Sequence, residues 1–496
     1  MRERLSSGPH PTVVKYIFAE PLKQEAATNF SHVMAANFVH TLVLRKGGIL
    51  DQSATKELLN LYMEMTSAGA GALTLDPSLE DLHFNIERYV IERLGPQVGG
   101  RMHTGRSRND LMATTTRMRI REEALRMHER LASLRKVLLA KAEEHSDTVM
   151  TGYTHLQPAQ PISFGFYMSA IADALARDAK RFQSAYRSTN QSPLGSAALA
   201  GSEFDLDRQY AAELLGFEGV IVNALDGVAA RDFVTDLFAA LASTTITISR
   251  AANDLYVWST REFGLVTLSD DVCHVSSIMP QKKNALTLEH CRAKAAQVIG
   301  YQVACLAAMK GSFYTNVRDV NREAVTPLFG ALSETEAAIE LFAVTVEGLE
   351  VNRDRMLAGA KEDFSTATAL ADALVIQLDI PFRLAHEIVA RVVRDAVSRG
   401  LDATRIDADL INQEAEDIVG KRLDLSDALI HGALDPVSSL NGRKTLGSAN
   451  PTETRRMLTE AQSILADDEA WLGNARRHLE SAKTRLKVSV DEVLSA

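Results

Sequence analysis

Three polar segments, each set among glycines or prolines, hold the side chains that could do chemistry in this sequence. The first, residues 99–110, contains three arginines and places Ser107 and Asn109 just before a long apolar pattern. Donors converge at the positive end of a helix, so this segment suits a carboxylate or a phosphate. Simple helix capping is the alternative, and it explains Asn109 but not three arginines beside a histidine. The arginines are Arg101, Arg106 and Arg108.

The second segment, residues 151–161, pairs Thr154 with His155 and adds Gln157 beside prolines that discourage a helix. Thr154 can bind a carboxylate, and His155 can transfer a proton or orient a water. A lone histidine in a loop is more often a structural hydrogen-bonding group, and that interpretation stays open on the residues alone.

The third segment, residues 274–284, carries Ser276 and Ser277, followed by Lys282 and Asn284 just before another helical pattern. Cations and amides in this place suit a carboxylate whose negative charge grows during a reaction. Serine is a poor base unless its pKa is strongly lowered. The residues alone therefore predict an anion site with a reactive serine, or a helix cap.

The rest of the sequence limits the classes of function. It contains no phosphate loop, metal-ligand set or dinucleotide fingerprint, so we expect a small polycarboxylate substrate, handled without a cofactor or metal. A net charge of −10 argues against nucleic acid or an anionic membrane surface as the partner. The three cysteines lack metal-type spacing, and no apolar run reaches the roughly 18 residues of a membrane span. We expect a cytoplasmic protein.

Long helices must position these segments, and strand patterns are sparse, which predicts an all-α protein. The longest helical patterns cover residues 109–145, 163–188, 228–260 and 288–310. The last three are apolar over most of their circumference, which indicates burial on more than one side. A monomer has few ways to bury several such rods, so we infer that they pack against copies of the chain. A large monomeric helical array is the alternative.

The pattern of helices predicts three helical domains. Residues 1–108 form an amino-terminal domain, residues 109–361 a central bundle of long helices, and residues 362–496 a small carboxy-terminal domain with an extra terminal helix. After Glu362 the helices become shorter and more charged. The tail from Thr452 has Arg, Glu and Lys at helical spacing and is predicted to be a solvated terminal helix.

The three segments resemble the signature regions of the fumarase/aspartase superfamily, and most closely those of argininosuccinate lyases. The matching runs are His103–Asp110, Gly152–Gln157 and Ser276–Asn284. The resemblance implies a homotetramer whose central helices form a twenty-helix bundle. It also implies that each active site collects its three segments from three different subunits.

The resemblance further implies an anti elimination that releases fumarate. Ser276 takes a proton from Cβ of a succinyl group, and Lys282 and backbone donors stabilise its alkoxide. His155 is the residue expected to protonate or polarise the leaving amine. The loop that carries Ser276 is expected to close over the substrate. The residues expected to bind the substrate are Ser107, Arg108, Asn109, Thr154, Gln157, Ser277, Met279, Lys282, Asn284, Asn316 and Arg318.

The sequence departs from the family pattern around the amine half of the substrate. The third segment normally continues Asn-Pro-Asp, whereas Ala285 and Leu286 follow Asn284 here, and Val275 replaces a glycine. The downstream substitutions are Asn316 for tyrosine, Val317 for asparagine, Asn321 for glutamine and Ala324 for lysine. Loss of a charged partner for an amino-acid carboxylate lowers binding roughly ten-fold to a hundred-fold.

We therefore expect an N-substituted aspartate other than argininosuccinate, such as the aminopolycarboxylates cleaved by ethylenediamine-N,N'-disuccinate lyases. Argininosuccinate itself is the alternative substrate. A third possibility is a weakly active structural protein, as in the lens delta-crystallins, which keep this fold. The presence of Ser276, Lys282 and His155 favours an enzyme.

Overall fold

Helices make up most of the molecule, which the computed structural model describes over residues 4–496; residues 1–3 of the predicted amino-terminal domain lie outside the described residues. The amino-terminal helices are α1 (Pro11–Val13), α2 (Glu20–Lys46), α3 (Gln52–Ala68) and α4 (Leu82–Val98). The central helices are α5 (Arg108–Glu144), α6 (Phe164–Thr189), α7 (Arg208–Leu214), α8 (Ala224–Ala229), α9 (Asp232–Trp258), α10 (Leu286–Lys310) and α11 (Thr326–Glu347). The carboxy-terminal helices are α12 (Arg353–Glu362), α13 (Ala367–Leu378), α14 (Phe382–Ser398), α15 (Ala408–Val419), α16 (Asp427–Leu434), α17 (Pro436–Asn441) and α18 (Pro451–Ser495).

The strands are short and form isolated pairs. They are β1 (Val149–Thr154), β2 (Gln157–Ser163), β3 (Gln191–Ser192), β4 (Gly219–Val220), β5 (Val266–Thr267), β6 (His274–Val275), β7 (Lys283–Asn284) and β8 (Glu350–Val351). The pairs β1–β2, β5–β8 and β6–β7 are antiparallel, and β3–β4 is parallel. The all-α class is confirmed. Within residues 4–496, no helix combines the length and apolar character needed to cross a membrane.

Five long helices, α5, α6, α9, α10 and α11, pack side by side and enclose the largest apolar core. Three of them match the predicted helical patterns to within two residues at each end. The fourth pattern, residues 228–260, is divided between α8 and α9. Ala230 takes up an extended backbone, and the buried Arg231 donates to the carbonyl oxygens of Val228 and Ala230. This guanidinium satisfies carbonyl groups where α8 ends, so the chain turns there although its residues are apolar.

The two largest of the smaller apolar cores among the described residues lie outside the central helices. One is built by α2, α3 and α4 in the amino-terminal part, and the other by residues between Leu370 and Leu434 in the carboxy-terminal part. The amino-terminal and carboxy-terminal parts of the chain therefore each have a separate hydrophobic core. The boundaries at residues 108 and 362 stay a prediction.

The terminal helix α18 corrects the prediction of a solvated tail. It is 45 residues long and packs along α5 and α6, so that Leu458, Leu465 and Leu472 join the central core. These leucines recur every seven residues between the charged positions, which gives the helix one apolar stripe. Charge density along the tail hid this stripe from the sequence analysis.

A charged residue of α18, Asp468, is fully buried against the central helices. Its Oδ2 accepts a hydrogen bond from Arg135 Nη1 at 2.6 Å, and its Oδ1 accepts from Gln183 Nε2 at 2.7 Å and Lys180 Nζ at 2.8 Å. Burial alone would raise the pKa of Asp468, but the hydrogen bonds from Lys180 and Arg135 hold this pKa below its ordinary value. Since Arg135 is also buried, the pair fixes α18 on α5.

Replacing Asp468 by alanine is expected to lower the free energy of unfolding by about 3–5 kcal/mol, because the buried guanidinium of Arg135 loses its countercharge. The depressed pKa of Asp468 means that its stabilising contribution is present above the ordinary carboxyl pKa and is lost as the pH falls through the depressed value. The difference in free energy of unfolding between the unchanged protein and the Asp468→Ala variant should therefore become smaller as the pH falls into the acid range. Urea unfolding at neutral and acidic pH measures both effects.

Glu469→Ala is the matched control on the same helix. Glu469 pairs with Lys136 at the surface, where an ion pair contributes about 0–1 kcal/mol. Equal destabilisation by the two variants would show that the buried pair has no special importance for α18.

Candidate active site

A buried carboxylate holds the start of α5, where the first segment lies. Asp110 is fully buried, and its Oδ1 accepts from the amide of Ser107 at 3.0 Å, while Ser107 Oγ accepts from the amide of Asn109 at 3.2 Å. The amides of Gly195 and Ala197 both donate to Asp110 Oδ2 at 3.0 Å. These two residues have positive φ values, 86° and 51°, at the point where their N–H groups meet the carboxylate. Asp110 thus fixes the helix start to a distant loop.

Arg106, in the same segment, is buried among histidines. Its Nη2 donates to Asn37 Oδ1 at 2.8 Å and its Nε to His103 Nδ1 at 3.4 Å. The ring of His103 lies 4.4 Å from that of His83. Burial, together with the charge of Arg106, lowers the pKa of His103 to about 3. The imidazole is therefore neutral and does not add a cation to an anion site.

The other two arginines of the first segment have separate environments. Arg108 Nη1 donates to Glu80 Oε2 at 3.0 Å and to Asp81 Oδ2 at 2.9 Å, and its guanidinium lies 4.2 Å from the ring centre of Phe84. Arg101 is exposed. The expected convergence of three arginines is therefore absent within one subunit. A carboxylate bound at this helix start would meet the capping side chains of Ser107 and Asn109.

A chain of side-chain amides joins the first segment to residues 316–321. Asn316 Nδ2 donates to Asn109 Oδ1 at 2.6 Å, and Asn321 Nδ2 donates to Asn316 Oδ1 at 2.7 Å. Asn109 Nδ2 in turn donates to the carbonyl of Ala198 at 3.0 Å. Arg318, on the same segment, is exposed. Asn109 and Asn316, both predicted to bind substrate, are thus in contact within one subunit.

The second segment forms the hairpin β1–β2, with its predicted site residues at the tip. Thr154 pairs with Gln157, and the two residues between them, His155 and Leu156, have φ values of 56° and 58°. Two left-handed residues form the type I′ turn that suits a two-residue hairpin loop, but neither is a glycine, so the tip is strained. Thr154, His155 and Gln157 are all exposed.

The prolines of this hairpin explain why the sequence predicts a loop here. Pro158 and Pro161 have no N–H to donate, which confines them to edges and bulges of a sheet. Both lie on β2, and the register shifts next to Gly152 and Tyr153, so that Pro158 faces Tyr153. The hairpin tolerates both prolines because it has only two strands and one irregularity.

Residues that follow the central helices support the hairpin from behind. Thr151 Oγ1 donates to Asp363 Oδ2 at 2.5 Å, and Asp363 Oδ1 accepts from the amide of Ser365 at 2.9 Å. Farther along β2, Arg443 Nη1 donates to Gln160 Oε1 at 3.5 Å. The carboxy-terminal part of the chain therefore positions the tip that carries His155.

The third segment is a second hairpin, β6–β7, whose loop runs over residues 276–282. Lys283 Nζ donates to Asp270 Oδ1 at 2.7 Å and to the carbonyl of Leu268, which ties the base of the loop to the residues before it. Lys282 Nζ donates to Asn284 Oδ1. Ser277, Met279 and Lys282 are exposed, and Ser276 is half-buried.

Ser276 sits where backbone donors meet its hydroxyl oxygen. Its Oγ accepts from the amide of Ile278 at 3.3 Å and from that of Met279 at 3.0 Å. Such donors stabilise negative charge on oxygen, which a serine acting as a base requires. The geometry therefore suits the predicted alkoxide.

The long helices keep the three segments apart within one chain. The 37 residues of α5 span about 55 Å, with the first segment at its start and the second just after its end. The end of α9 lies at that second end, because Trp258 packs 4.7 Å from Tyr167 near the start of α6. The third segment follows α9. One subunit alone cannot bring all three segments to one small substrate.

The described part of the chain forms no cluster of metal-ligating side chains, and two of its cysteines are unreactive. Among residues 4–496, no group of three or more His, Cys, Asp or Glu side chains is placed to hold a metal ion. Cys291 and Cys305 are buried, and burial raises the pKa of Cys291 to about 12 and that of Cys305 to about 11. Both thiols are therefore protonated and unreactive at neutral pH.

Two positioning residues were missed by the sequence analysis. Asp110 stands at the third helical position after Ser107, which is a capping-box signal visible in the sequence. Its contacts with Gly195 and Ala197 are long-range and leave no local signal. Asp363 likewise caps the segment Phe364–Thr366, but its bond to the hairpin depends on the fold.

Comparison with known families places this architecture among lyases. A family model described as lyase matches residues 24–300, and one described as argininosuccinate lyase C-terminal matches residues 364–441. Argininosuccinate lyase 1 of Shouchella clausii is 40% identical over 479 residues, covering 97% of this chain and 96% of that protein. The argininosuccinate lyase of Methanothermobacter thermautotrophicus is 37% identical over 440 residues, covering 88% and 93%.

Solved structures share the fold over almost the whole length. The crystal structure of EDDS lyase in complex with formate has a TM-score of 0.89 at 33% identity, covering 99% of this chain and 97% of that one. A class II fumarase from Schistosoma mansoni has a TM-score of 0.67 at 16% identity, covering 86% and 92%, and shows likeness of fold alone.

Replacing Asp110 by asparagine is expected to lower the free energy of unfolding by about 1–3 kcal/mol, since three backbone N–H groups lose part of their acceptor. Burial raises the pKa of Asp110 to about 6, so protonation of this group stabilises the folded protein at low pH, and this contribution is lost as the pH rises through that value. The Asp110→Asn variant lacks this contribution. The free energy of unfolding that it loses relative to the unchanged protein should therefore increase as the pH falls from neutral. Urea unfolding across this range provides the measurement.

Glu143→Gln, an exposed change near the end of the same helix, is the control. If the deficit of the Asp110 variant did not change with pH, the carboxyl group would not titrate near 6.

Proposed function

Because the chain belongs to the argininosuccinate lyase family of the fumarase/aspartase superfamily, and is therefore a carbon–nitrogen lyase, we propose that it releases fumarate from an N-substituted aspartate other than argininosuccinate. The amide chain of Asn109, Asn316 and Asn321 carries this proposal. It occupies the place where the family presents a tyrosine and a glutamine. Ala324 is fully buried at the family's lysine position, so no cation extends from there to a substrate.

The elimination begins at Ser276. Its alkoxide removes a proton from Cβ of the aspartate moiety, and the electron pair moves into the adjacent carboxylate, which becomes an aci-carboxylate. Lys282, Asn284 and the donors at the start of α5 stabilise the added charge. The C–N bond then breaks, fumarate forms, and the amine leaves with a proton delivered by His155 or by a water that it orients.

We further propose a homotetramer, which is supported by apolar faces left uncovered on the central helices. In α10 the buried positions are few for a helix of 25 residues in the middle of a bundle. Apolar side chains at least 41% exposed on α9, α10 and α11 are Ile246, Ile299, Val303, Leu306 and Val344. Packing these faces against copies of themselves removes them from water and brings the separated segments together.

Argininosuccinate is the second candidate substrate. The relatives named argininosuccinate lyase, and the retained pair Arg318–Asp319, favour it. EDDS lyase, at 33% identity over nearly the whole chain, favours an aminopolycarboxylate.

A substrate panel tests the proposed function. Fumarate release, followed by its ultraviolet absorbance, is measured with argininosuccinate, ethylenediamine-N,N'-disuccinate and simpler N-substituted aspartates. We expect kcat/KM to be roughly ten-fold to a hundred-fold higher for the preferred aminopolycarboxylate than for argininosuccinate, from the loss of one charged partner for arginine. Turnover of argininosuccinate alone would refute the proposed substrate. If no compound of the panel released fumarate, the proposed lyase function would be refuted, and a structural role for the protein would be favoured.

Mixing two inactive variants tests the role of Ser276 and tests whether each active site contains residues from different subunits. Ser276→Ala and Thr154→Ala proteins are each expected to lose activity, the first by roughly a hundred-fold to ten-thousand-fold because the base is gone. When they are co-expressed, random assembly leaves about one quarter of the sites with both residues intact, if these come from different subunits. Fumarate formation by the mixed protein should rise to that fraction.

Ser398→Ala, an exposed change on α14, is the control for both variants and should keep full activity. A mixture no more active than its components would place both segments of one site in the same subunit.

A further inference from the structure

A cavity of about 240 Å³ lies under the terminal helix α18, where this helix meets α2, α5 and the end of α7. We call it the α18 pocket. None of its lining residues belongs to the three segments of the candidate active site, and none belongs to α9, α10 or α11, whose apolar faces are uncovered. Neither the proposed elimination nor the proposed contact between subunits therefore uses this pocket.

The walls of the α18 pocket are mostly apolar. Met118 of α5, Leu214 of α7 and Leu479 of α18 are buried side chains of these walls, and Ala35 and Leu486 are half-buried ones. At about 30 Å³ for a group of the size of water, the volume corresponds to roughly eight such groups. Drug-sized ligands and cofactors occupy larger pockets. The α18 pocket therefore suits a short aliphatic chain.

One buried charge lines the α18 pocket without a countercharge. Arg121 is 3% exposed, and its Cζ lies 4.4 Å from the ring centre of Phe217. Its Nη1 donates to Asn190 Oδ1 at 2.8 Å and its Nη2 to the carbonyl of Leu215 at 2.6 Å, and both acceptors are neutral. Within residues 4–496 no carboxylate forms an ion pair with Arg121, and its Nε is buried with no hydrogen-bond partner. A carboxylate would compensate this buried cation.

The other charged groups at the α18 pocket do not supply that countercharge. Glu122 Oε2 lies 3.1 Å from His32 Nε2. Burial alone would raise the pKa of Glu122, but the hydrogen bond with His32 holds this pKa below its ordinary value, so the carboxylate is ionised and already paired. In the described part of the chain His32 Nδ1 is buried without a partner. Lys483 of α18 is exposed and adds a second cation.

The charge of Arg121 determines the sign of a ligand in this pocket. Burial lowers the pKa of Arg121 to about 10, although Tyr186 and Glu122 act in the opposite direction. The guanidinium is therefore protonated at neutral pH, and a ligand that pairs with it is an anion. A second carboxylate on the same ligand would face leucine side chains and lose its hydration without compensation. The walls therefore disfavour dicarboxylates, including fumarate.

We propose that the α18 pocket binds a small aliphatic monocarboxylate. The carboxylate pairs with Arg121, and the hydrocarbon chain packs against Leu214, Leu479 and Leu486. Such a ligand contacts α5 and α18 together, so its binding fastens the terminal helix to the central bundle. Helical rise places Arg121 about 18 Å from Asn109 along α5, which separates this site from the candidate active site. The proposal is independent of the proposed function.

Hexanoate is the probe, because its eight non-hydrogen atoms match the volume of the α18 pocket. Titration calorimetry on the full chain, at constant ionic strength, is performed with saturating fumarate, so that the candidate active site is already occupied. We expect one hexanoate per subunit, with a Kd on the order of 1 mM for a ligand of this size. We expect 1-hexanol, hexylamine and adipate, all of the same chain length, to bind at least roughly ten-fold more weakly.

Two variants remove different parts of the proposed site. Arg121→Met removes the cation at similar side-chain length, and Ala35→Leu fills the cavity while it keeps the charge. Each is expected to weaken hexanoate binding roughly ten-fold or more, the first through loss of the charged partner and the second through loss of space. Arg121→Met also leaves the carbonyl of Leu215 without its donor, so Ala35→Leu provides the test if the first variant does not fold.

Lys487→Gln, an exposed change one turn beyond Lys483 on α18, is the matched control and should leave the Kd unchanged. Absence of hexanoate binding by the unchanged protein would overturn the proposal, and so would equally tight binding of 1-hexanol or adipate. Loss of binding in Lys483→Gln, with full binding in Arg121→Met, would place the carboxylate at the exposed ammonium group and would also overturn it.

Discussion

The length of α5 is the constraint on which the rest of this structure depends. A rigid helix of 37 residues separates the segment at its start from the hairpin after its end by about 55 Å. Side chains cannot close such a gap, and a bundle of parallel rods cannot fold back on itself without breaking its core. Chemistry that needs both ends must therefore use more than one copy of the chain. The uncovered apolar faces of α9, α10 and α11 are the surfaces on which that association would occur.

Each functional segment is short and irregular, and each is fixed by a polar contact with residues outside the segment. Asp110 binds two amides of a loop more than eighty residues away. Asp363 holds Thr151 at the base of the strained hairpin, and Lys283 closes the loop around Ser276 through Asp270. Charge-assisted bonds suit this task, because they set direction as well as distance. The helices supply rigidity and these bonds supply alignment.

Most of the fold, and the three segments of the candidate site, could be predicted from the sequence. The long helices were predictable because their apolar positions recur with helical period over many turns, and the segments were visible because matching runs are local. The course of α18 was not, since its apolar stripe is narrow and the buried pair Asp468–Arg135 joins residues 333 positions apart. The break before α9 depends on Arg231, whose guanidinium donates to the carbonyl of Ala230. No glycine or proline marks this break in the sequence. Long-range polar contacts leave no periodic trace in a sequence.

The two halves of the proposed site differ in how many subunits build them, and this difference has a consequence for specificity. The elimination would draw on the first segment at one end of α5 and on His155 and Ser276 beyond the other end, so it would need more than one subunit. The departures from the family pattern that concern the amine lie in residues 316–324, where Asn316 contacts Asn109 within one subunit. Asn316 and the buried Ala324 therefore change contacts that one subunit forms by itself. Such an arrangement lets one elimination chemistry serve many amines, because the residues that depart from the family pattern are separate from Ser276 and His155.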